Sequence, residues 1–372
     1  DVRTTLAHYY TNMDFHSQAK EAVEPILDLA LALNYRKRLP AIYTAIGNYY
    51  LWVEEDSRKG LPLIDQAMKI AELDADYISL LAALLQSGVF LSFISEFNEA
   101  HKRLQQCLDF SLMAKNKTGM VFSKAMISMC YTIEGKVNPA YEFAQEALKL
   151  AEETGDAFIK GAAYAYYCAA CYQKGLFDEA KTHLLEWASL YEKAVSISSI
   201  GWTFMYLGFT YDDLREYNYN VILCNKMMQV LENGNYMPSM IIYTQSCLMR
   251  AKALRHDQDI DLRELVACYE NYKVTLLKGD TARNIGDVLL NMDSDHHLAD
   301  AGMWFQKAIE EDSKNGMMWE LAMDHAFYAN WFKKKGDIQG AKEQLTKSID
   351  IFRECGADGW VTRTEQELVS LT

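Results

Sequence analysis

Cys168-Ala169-Ala170-Cys171 has the C-x-x-C spacing used by redox and zinc sites. It lacks a second pair and falls inside a helical pattern, so a contact between small helix faces explains it better. Asp293, Asp295, His296, His297 and Asp300 bring imidazoles and carboxylates together, which are ligand types for a divalent cation. They sit in an inter-helix turn longer than its neighbours, where a solvated loop and helix N-cap account for them. The sequence has no G-x-x-x-x-G-K-[ST] phosphate loop, no G-x-G-x-x-G and no His-Glu-x-x-His. No catalytic, cofactor-binding or metal-ligating residue is assigned. The chain reads as non-enzymatic, with no cofactor.

Those residues must be held by something, and the composition bounds what. The chain has 372 residues, 50% of them hydrophobic, and five prolines. That is enough for a large core, and long for one compact domain unless the chain grows by stacking. A net charge of -14 opposes nucleic-acid and anionic-membrane partners, which need basic surfaces. No apolar run is long enough for a membrane span, and the start at Asp1-Val2-Arg3-Thr4 shows no signal pattern. An Asp start followed at once by helical pattern suggests a piece of a longer protein. Eight scattered cysteines, mostly on apolar faces, read as reduced thiols in a cytoplasmic protein.

The organising feature is a period of about forty residues. Gly60, Ala100, Ala140, Ala180, Asn220, Ala301 and Ala341 recur near that spacing. Each is followed by core-type residues about four and seven positions later, as at Leu104 and Cys107 after Ala100. Such a period means stacked units, each too small to bury its own apolar face. One unit shows the pattern. Phe204, Leu207, Gly208 and Tyr211 have helical spacing, Asp212-Asp213 breaks it, and Val221, Cys224, Met227, Met228 and Leu231 resume it. Gly208, like Gly47 and Gly88, leaves room for a close neighbouring helix.

This grammar predicts nine helical hairpins and a closing helix. First helices are expected near 2–11, 41–53, 78–94, 120–134, 159–174, 199–213, 239–254, 281–292 and 318–334. Second helices are expected near 16–33, 60–73, 97–114, 138–153, 178–194, 217–233, 261–276, 298–312 and 339–354, with a last segment near 358–370. Asn138-Pro139 suits an N-cap followed by the first helical position. Pro25 falls where helix is expected, so a kink belongs there. The unit around Ala251–Tyr272 is the least regular.

These residues resemble the tetratricopeptide repeat: a Leu-Gly pair, an aromatic, a turn, then Ala, an aliphatic or aromatic, and Ala. The resemblance implies an all-α, right-handed superhelical solenoid of about nine such hairpins, spanning 1–372 as one unit with 357–372 as its cap. The period of forty is longer than the standard, as in repeat arrays attached to large bacterial signalling proteins. The stretch from Ala301 to Trp360 is similar to the C-terminal end of bacterial proteins that join a nucleotide cyclase or Ser/Thr kinase head, a signalling ATPase and a repeat tail. Asn315-Gly316-Met317-Met318-Trp319, Lys335-Gly336-Asp337 and Glu354-Cys355-Gly356-Ala357-Asp358-Gly359-Trp360 carry that likeness.

In such an array the inner faces of the first helices line a concave surface. Thr44, Asn48 and Trp52; Leu85, Val89 and Phe93; Phe122, Ala125 and Met129; Ala165, Ala169 and Tyr172; and Trp202, Met205 and Phe209 fall on that column. Trp52, Leu85, Val89, Phe93, Phe122, Met129, Tyr172, Trp202, Met205 and Phe209 are the candidate groove, apolar and aromatic as protein-binding surfaces are. The alternative is that tight winding buries these side chains against one another. The expected function is a regulatory or sensory module that binds a protein or peptide on its concave face. Self-association into a homo-oligomer, or a small-molecule sensor, is the alternative.

Overall fold

The computed structural model describes residues 1–188, 197–257, 260–292 and 297–371. Asp293, Asp295 and His296 of the polar cluster lie outside them, as do 189–194 of the fifth second helix. His297 and Asp300 open a helix.

Among the described residues all regular structure is helical. The first hairpin pairs α1 (Val2–Asn12) with α2 (His16–Val23), continued as α3 (Leu27–Ala32). Pro25 breaks this second helix into a short 3-10 turn at Glu24–Ile26, as a residue without an N–H should. Next come α4 (Leu39–Trp52) with α5 (Ser57–Leu73), and α6 (Tyr77–Phe93) with α7 (Phe97–Met113). They are followed by α8 (Lys117–Glu134) with α9 (Val137–Thr154), and α10 (Ala157–Lys174) with α11 (Phe177–Ala188). The second half adds α12 (Ile197–Asp213) with α13 (Tyr217–Gly234), and α14 (Pro238–Leu254) with α15 (Arg263–Tyr269). It ends with α16 (Lys278–Asn291) with α17 (His297–Asn315), α18 (Met318–Lys334) with α19 (Ile338–Cys355), and the single α20 (Asp358–Val369).

Small residues let the paired helices approach, because side-chain size at the contact sets the interaxial distance. A Cβ added at Gly60 would lie 2.4 Å from Leu51, and one at Gly88 would lie 2.8 Å from Leu104. Ala100, Ala140, Ala180, Ala301 and Ala341 are fully buried. Contact at Gly208 is looser. The nearest atom to an added Cβ there is Asn220 Oδ1 at 3.2 Å, because Asn220 replaces the usual alanine. Its amide donates to Gly208 O at 3.4 Å and to Asp212 at 2.7 Å.

Two expectations are corrected. α9 begins at Val137, so Asn138 is inside the helix and Pro139 is its third residue. The helix expected over 261–276 stops at Tyr269. The segment after it leaves the hairpin and reaches α6, where the Thr275 and Leu276 N–H groups both donate to Phe93 O at 3.0 Å.

That contact belongs to a regular seam. Asp14 Oδ2 accepts from Ser198 N at 2.9 Å and from its hydroxyl at 2.8 Å, 184 residues later. Glu55 accepts from Ser239 N at 3.0 Å and from its hydroxyl at 2.6 Å, again 184 residues later. Trp360 Nε1 donates to Tyr172 O at 2.8 Å across 188 residues. A Cβ at Gly135 would lie 2.5 Å from Trp319 N, and one at Gly175 would lie 2.4 Å from Gly359. The turn inside each of the first five hairpins thus rests on the start of the first helix five hairpins on. The chain winds into a closed coil, its second turn sitting on its first.

The seam residues Asp14, Glu55, Ser95, Gly135 and Gly175 all have left-handed backbone, with φ of 62, 50, 61, 80 and 83°. For the non-glycines this costs about 1–2 kcal/mol each. Charge-assisted hydrogen bonds, worth about 1.5–3 kcal/mol, offset it at Asp14 and Glu55. Side-chain capping differs among the hairpins' first helices, and α1 and α4 have none. α6, α8 and α10, in the first coil, are capped by their own Asp76, Asn116 and Asp156. α14, α16, α18 and α20 have no side-chain cap of their own; the first coil covers their starts.

Cys168 and Cys171 are fully buried in α10, and burial pushes the Cys171 thiol up to about 12. None of the eight cysteines is in a disulfide. Among the described residues no group of His, Cys, Asp and Glu is arranged to hold a metal. No described helix is long and apolar enough to cross a membrane.

Candidate partner-binding site

The first coil encloses a cavity of about 560 Å³, within the range of roughly 300–1,000 Å³ typical of ligand sites. α6 supplies Leu81, Leu85, Val89 and Phe93, spaced along one helical face. α8 supplies Phe122, Met126 and Met129 in the same way. The floor is a set of locked rings. Trp52 stacks on Tyr236 at 5.7 Å and 16°, and meets Phe93 edge-on at 5.4 Å. Its indole N–H donates to Gln86 at 3.0 Å, so the ring is fixed at both ends. Tyr166 and Trp202 pack at 6.0 Å beside it. His16 stacks on Tyr236 at 5.9 Å, and burial lowers its pKa to about 3, so it is neutral.

Seven of the ten candidate groove residues line this space: Trp52, Leu85, Val89, Phe93, Phe122, Met129 and Trp202. Trp52, Phe93, Met129 and Trp202 are buried in its floor, whereas Leu85, Val89 and Phe122 are half-buried and face the opening. The column does not continue as one groove. Tyr172 and Phe209 line a second cavity of about 330 Å³. Met205, with Phe209, borders a crevice of about 40 Å³ among α12, α13 and α14. Rings fill the space between. Tyr206, 1% exposed, stacks on Trp202 at 5.9 Å and meets Phe209 and Tyr172 edge-on at 5.6 and 5.7 Å. Thr44, Asn48, Ala125, Ala165 and Ala169 are buried between helices.

The second cavity has a different chemistry. Arg250 pairs with Asp212 and with Asp287 at 2.7 Å. Arg283 pairs with Asp280, with Glu320 at 2.9 Å and with Asp324 at 2.7 Å. Phe327 lies under both guanidiniums, at 5.2 and 5.6 Å. Burial, then the neighbouring charges of Asp324 and Asp280, push the Asp312 carboxyl well above the usual range. Burial raises Asp324 to about 6, against the pull of Arg283. These residues escaped the sequence reading. The available signal was one charged residue per hairpin on an apolar inner face: Asp212, Arg250 and Asp287 stand about one repeat apart. Asp14, Ser198, Tyr166 and Tyr236 were missed because only the coil's closure brings them together.

No family model matches the chain. It aligns with solved structures along its whole length. A Rap protein complexed with Competence and Sporulation Factor matches at a TM-score of 0.50 and 11% identity, over 100% of this chain and 99% of that one. The apo form of RapI matches at 0.50 and 13% identity, over 95% and 97%. A signal-transduction ATPase with a tetratricopeptide-repeat sensor, from Pyrococcus horikoshii, matches at 0.43 and 14% identity over 94% of this chain and 54% of that one. Among curated proteins, phosphoserine aminotransferases of two Pseudomonas syringae strains are 28% identical over 131 aligned residues, 25% of this chain. The alignment spans 36% of their length.

The fold is that of a tetratricopeptide-repeat-like solenoid. This chain is an array of that type, wound into a closed coil.

Proposed function

We propose that this chain is a non-catalytic regulatory module that binds a polypeptide partner in the cavity of its first coil. One observation carries the reading: Asp14, Trp52 and Phe93 line the cavity and also hold the second coil. Asp14 accepts from Ser198, Trp52 O accepts from Met237 N at 2.8 Å, and Phe93 O accepts from Thr275 and Leu276. An occupant that shifts these residues changes the fit of one coil on the other. It biases the coil only as far as it prefers one spacing over another. The likeness in fold to a Rap protein complexed with Competence and Sporulation Factor supports such a use of a closed coil.

The finer role is that of a sensory tail on a bacterial signalling ATPase or nucleotide cyclase. Of the motifs behind it, Asn315–Trp319 and Glu354–Trp360 include Trp319 and Gly359, which lie against Gly135 and Gly175 at the seam, while Lys335-Gly336-Asp337 forms the turn between α18 and α19. The test is a photo-crosslinking residue placed in cells at Val89 inside the cavity, or at exposed Glu152 as control. Adducts from position 89 alone are expected. Adducts from 152 alone would place the partner on the outer surface and overturn the reading.

A further inference from the structure

The cavity of the first coil has a one-sided charge. Its described lining includes no lysine and no arginine, although the chain has 37 of them. Among its described lining residues the only acidic groups are the carboxylates of Asp14 and Asp156, and Asp14 is 7% exposed. The other polar side chains there are hydroxyls, amides, a thiol, indoles and the His8 imidazole. An incoming carboxylate or phosphate would lose its water and meet no cation, a penalty that pairing alone can offset. An incoming ammonium or guanidinium would meet Asp156 at the mouth, where that side chain caps α10.

The mouth also indicates what size of occupant fits. Ile78 lines it and is 76% exposed. Tyr77, Leu73, Leu112 and Met113, at the ends of α5, α6 and α7, are also more than half exposed; Tyr77 packs on Phe110 at 5.9 Å. Exposed apolar patches of this kind mark contact with another polypeptide. The starts of α6, α8 and α10, which border the mouth, carry their own side-chain caps, as the starts of α1 and α4 do not.

From this geometry we infer that the occupant is an apolar polypeptide segment bearing lysine or arginine and no acidic residue, its side chains filling the cavity and its flank lying on the Tyr77–Ile78 lip. This rests on the site proposed above and names the chemistry that site selects.

The test titrates the full chain with two synthetic amphipathic peptides of identical apolar pattern, one with lysines and one with glutamates at the polar positions. The neutral dye Nile red serves as a small apolar probe. Tighter binding of the lysine peptide by about tenfold or more, weakened both by Val89→Trp, which fills the cavity without changing its charge, and by Ile78→Arg on the lip, is the expected result. Equal binding of both peptides, each still weakened by Val89→Trp, would overturn the charge inference and leave the site standing. Nile red binding that depends on Val89, with neither peptide bound, would make the occupant a small molecule and overturn the polypeptide inference. No binding of any probe, or binding indifferent to Val89→Trp, would remove the site itself. Circular dichroism of both variants checks that the coil is intact.

Discussion

Glu55 accepts two hydrogen bonds from Ser239, a residue 184 positions away, and does so from a left-handed turn that glutamate rarely adopts. The same left-handed backbone ends helices at Ala75, Lys115 and Arg215, outside the seam, so the contact between coils uses a helix-ending turn that the chain already makes.

Removing either partner therefore unbalances the seam. Glu55→Ala leaves Ser239 N and its hydroxyl buried without an acceptor, which costs about 1–3 kcal/mol. Ser239→Ala leaves the carboxylate short of one donor. The double variant should lose less than the sum of the singles, because the second change removes a group already stranded. Urea unfolding of the three variants measures this; strict additivity would mean the two residues do not interact.

Glycine substitutions separate backbone strain from contact between coils. Gly135, Gly175 and Gly336 all have φ between 80 and 83°, so alanine pays about 1–2 kcal/mol at each. At Gly336 nothing lies within 4 Å of the added Cβ. At Gly135 and Gly175 the Cβ meets backbone at 2.5 and 2.4 Å, which must push the coils apart and adds about 1–3 kcal/mol. Denaturation midpoints should fall clearly further for Gly135→Ala and Gly175→Ala than for Gly336→Ala. Equal shifts would mean the coils do not touch there.

The hairpins were legible in the sequence because one physical rule, a small residue where two helices cross, is repeated every forty positions. Ala100, Ala140 and Ala180 mark it without ambiguity. Closure was not legible, because it pairs residues nearly five periods apart through a left-handed turn that Asp14, Ser95 and Gly135 all satisfy with different chemistry. The inner column is apolar by pattern, but its division between cavities depends on Tyr206, an ordinary core position by pattern. A consequence is that Trp202→Ala with Phe209→Ala is a poor probe of binding. Trp202 is 5% exposed and packed on Tyr166 and Tyr206, so its loss should unfold the array by about 3–5 kcal/mol before any contact is tested.

The acidic cluster around Arg283 makes stability depend on pH. Asp312, Glu320 and Asp324 all have raised pKa values from burial, Asp324 at about 6. In the unfolded chain they ionise near pH ~4. The folded state therefore holds protons the unfolded state releases. That stabilisation is fully present below about pH 4 and is lost as pH rises through about 6 and beyond. Asp312→Asn imitates the protonated acid. It should flatten the decline and be more stable than the parent at pH 8 by about 1–3 kcal/mol. An unchanged slope between pH 5 and 8 would show that Asp312 is ionised in the fold.

Closure of the coil is tested most directly by amide hydrogen exchange at the starts of the second-coil helices. The first N–H groups of a helix have no partner within it and normally exchange fast. Here Met237 donates to Trp52 O, Ser239 to Glu55, and Thr275 and Leu276 to Phe93 O. Peptides covering 237–239 and 275–276 should exchange as slowly as helix interiors, and speed up in Glu55→Ala at 237–239. Exchange at the rate of an open helix start in the unaltered chain would mean the second coil does not sit on the first, and the enclosed site would go with it.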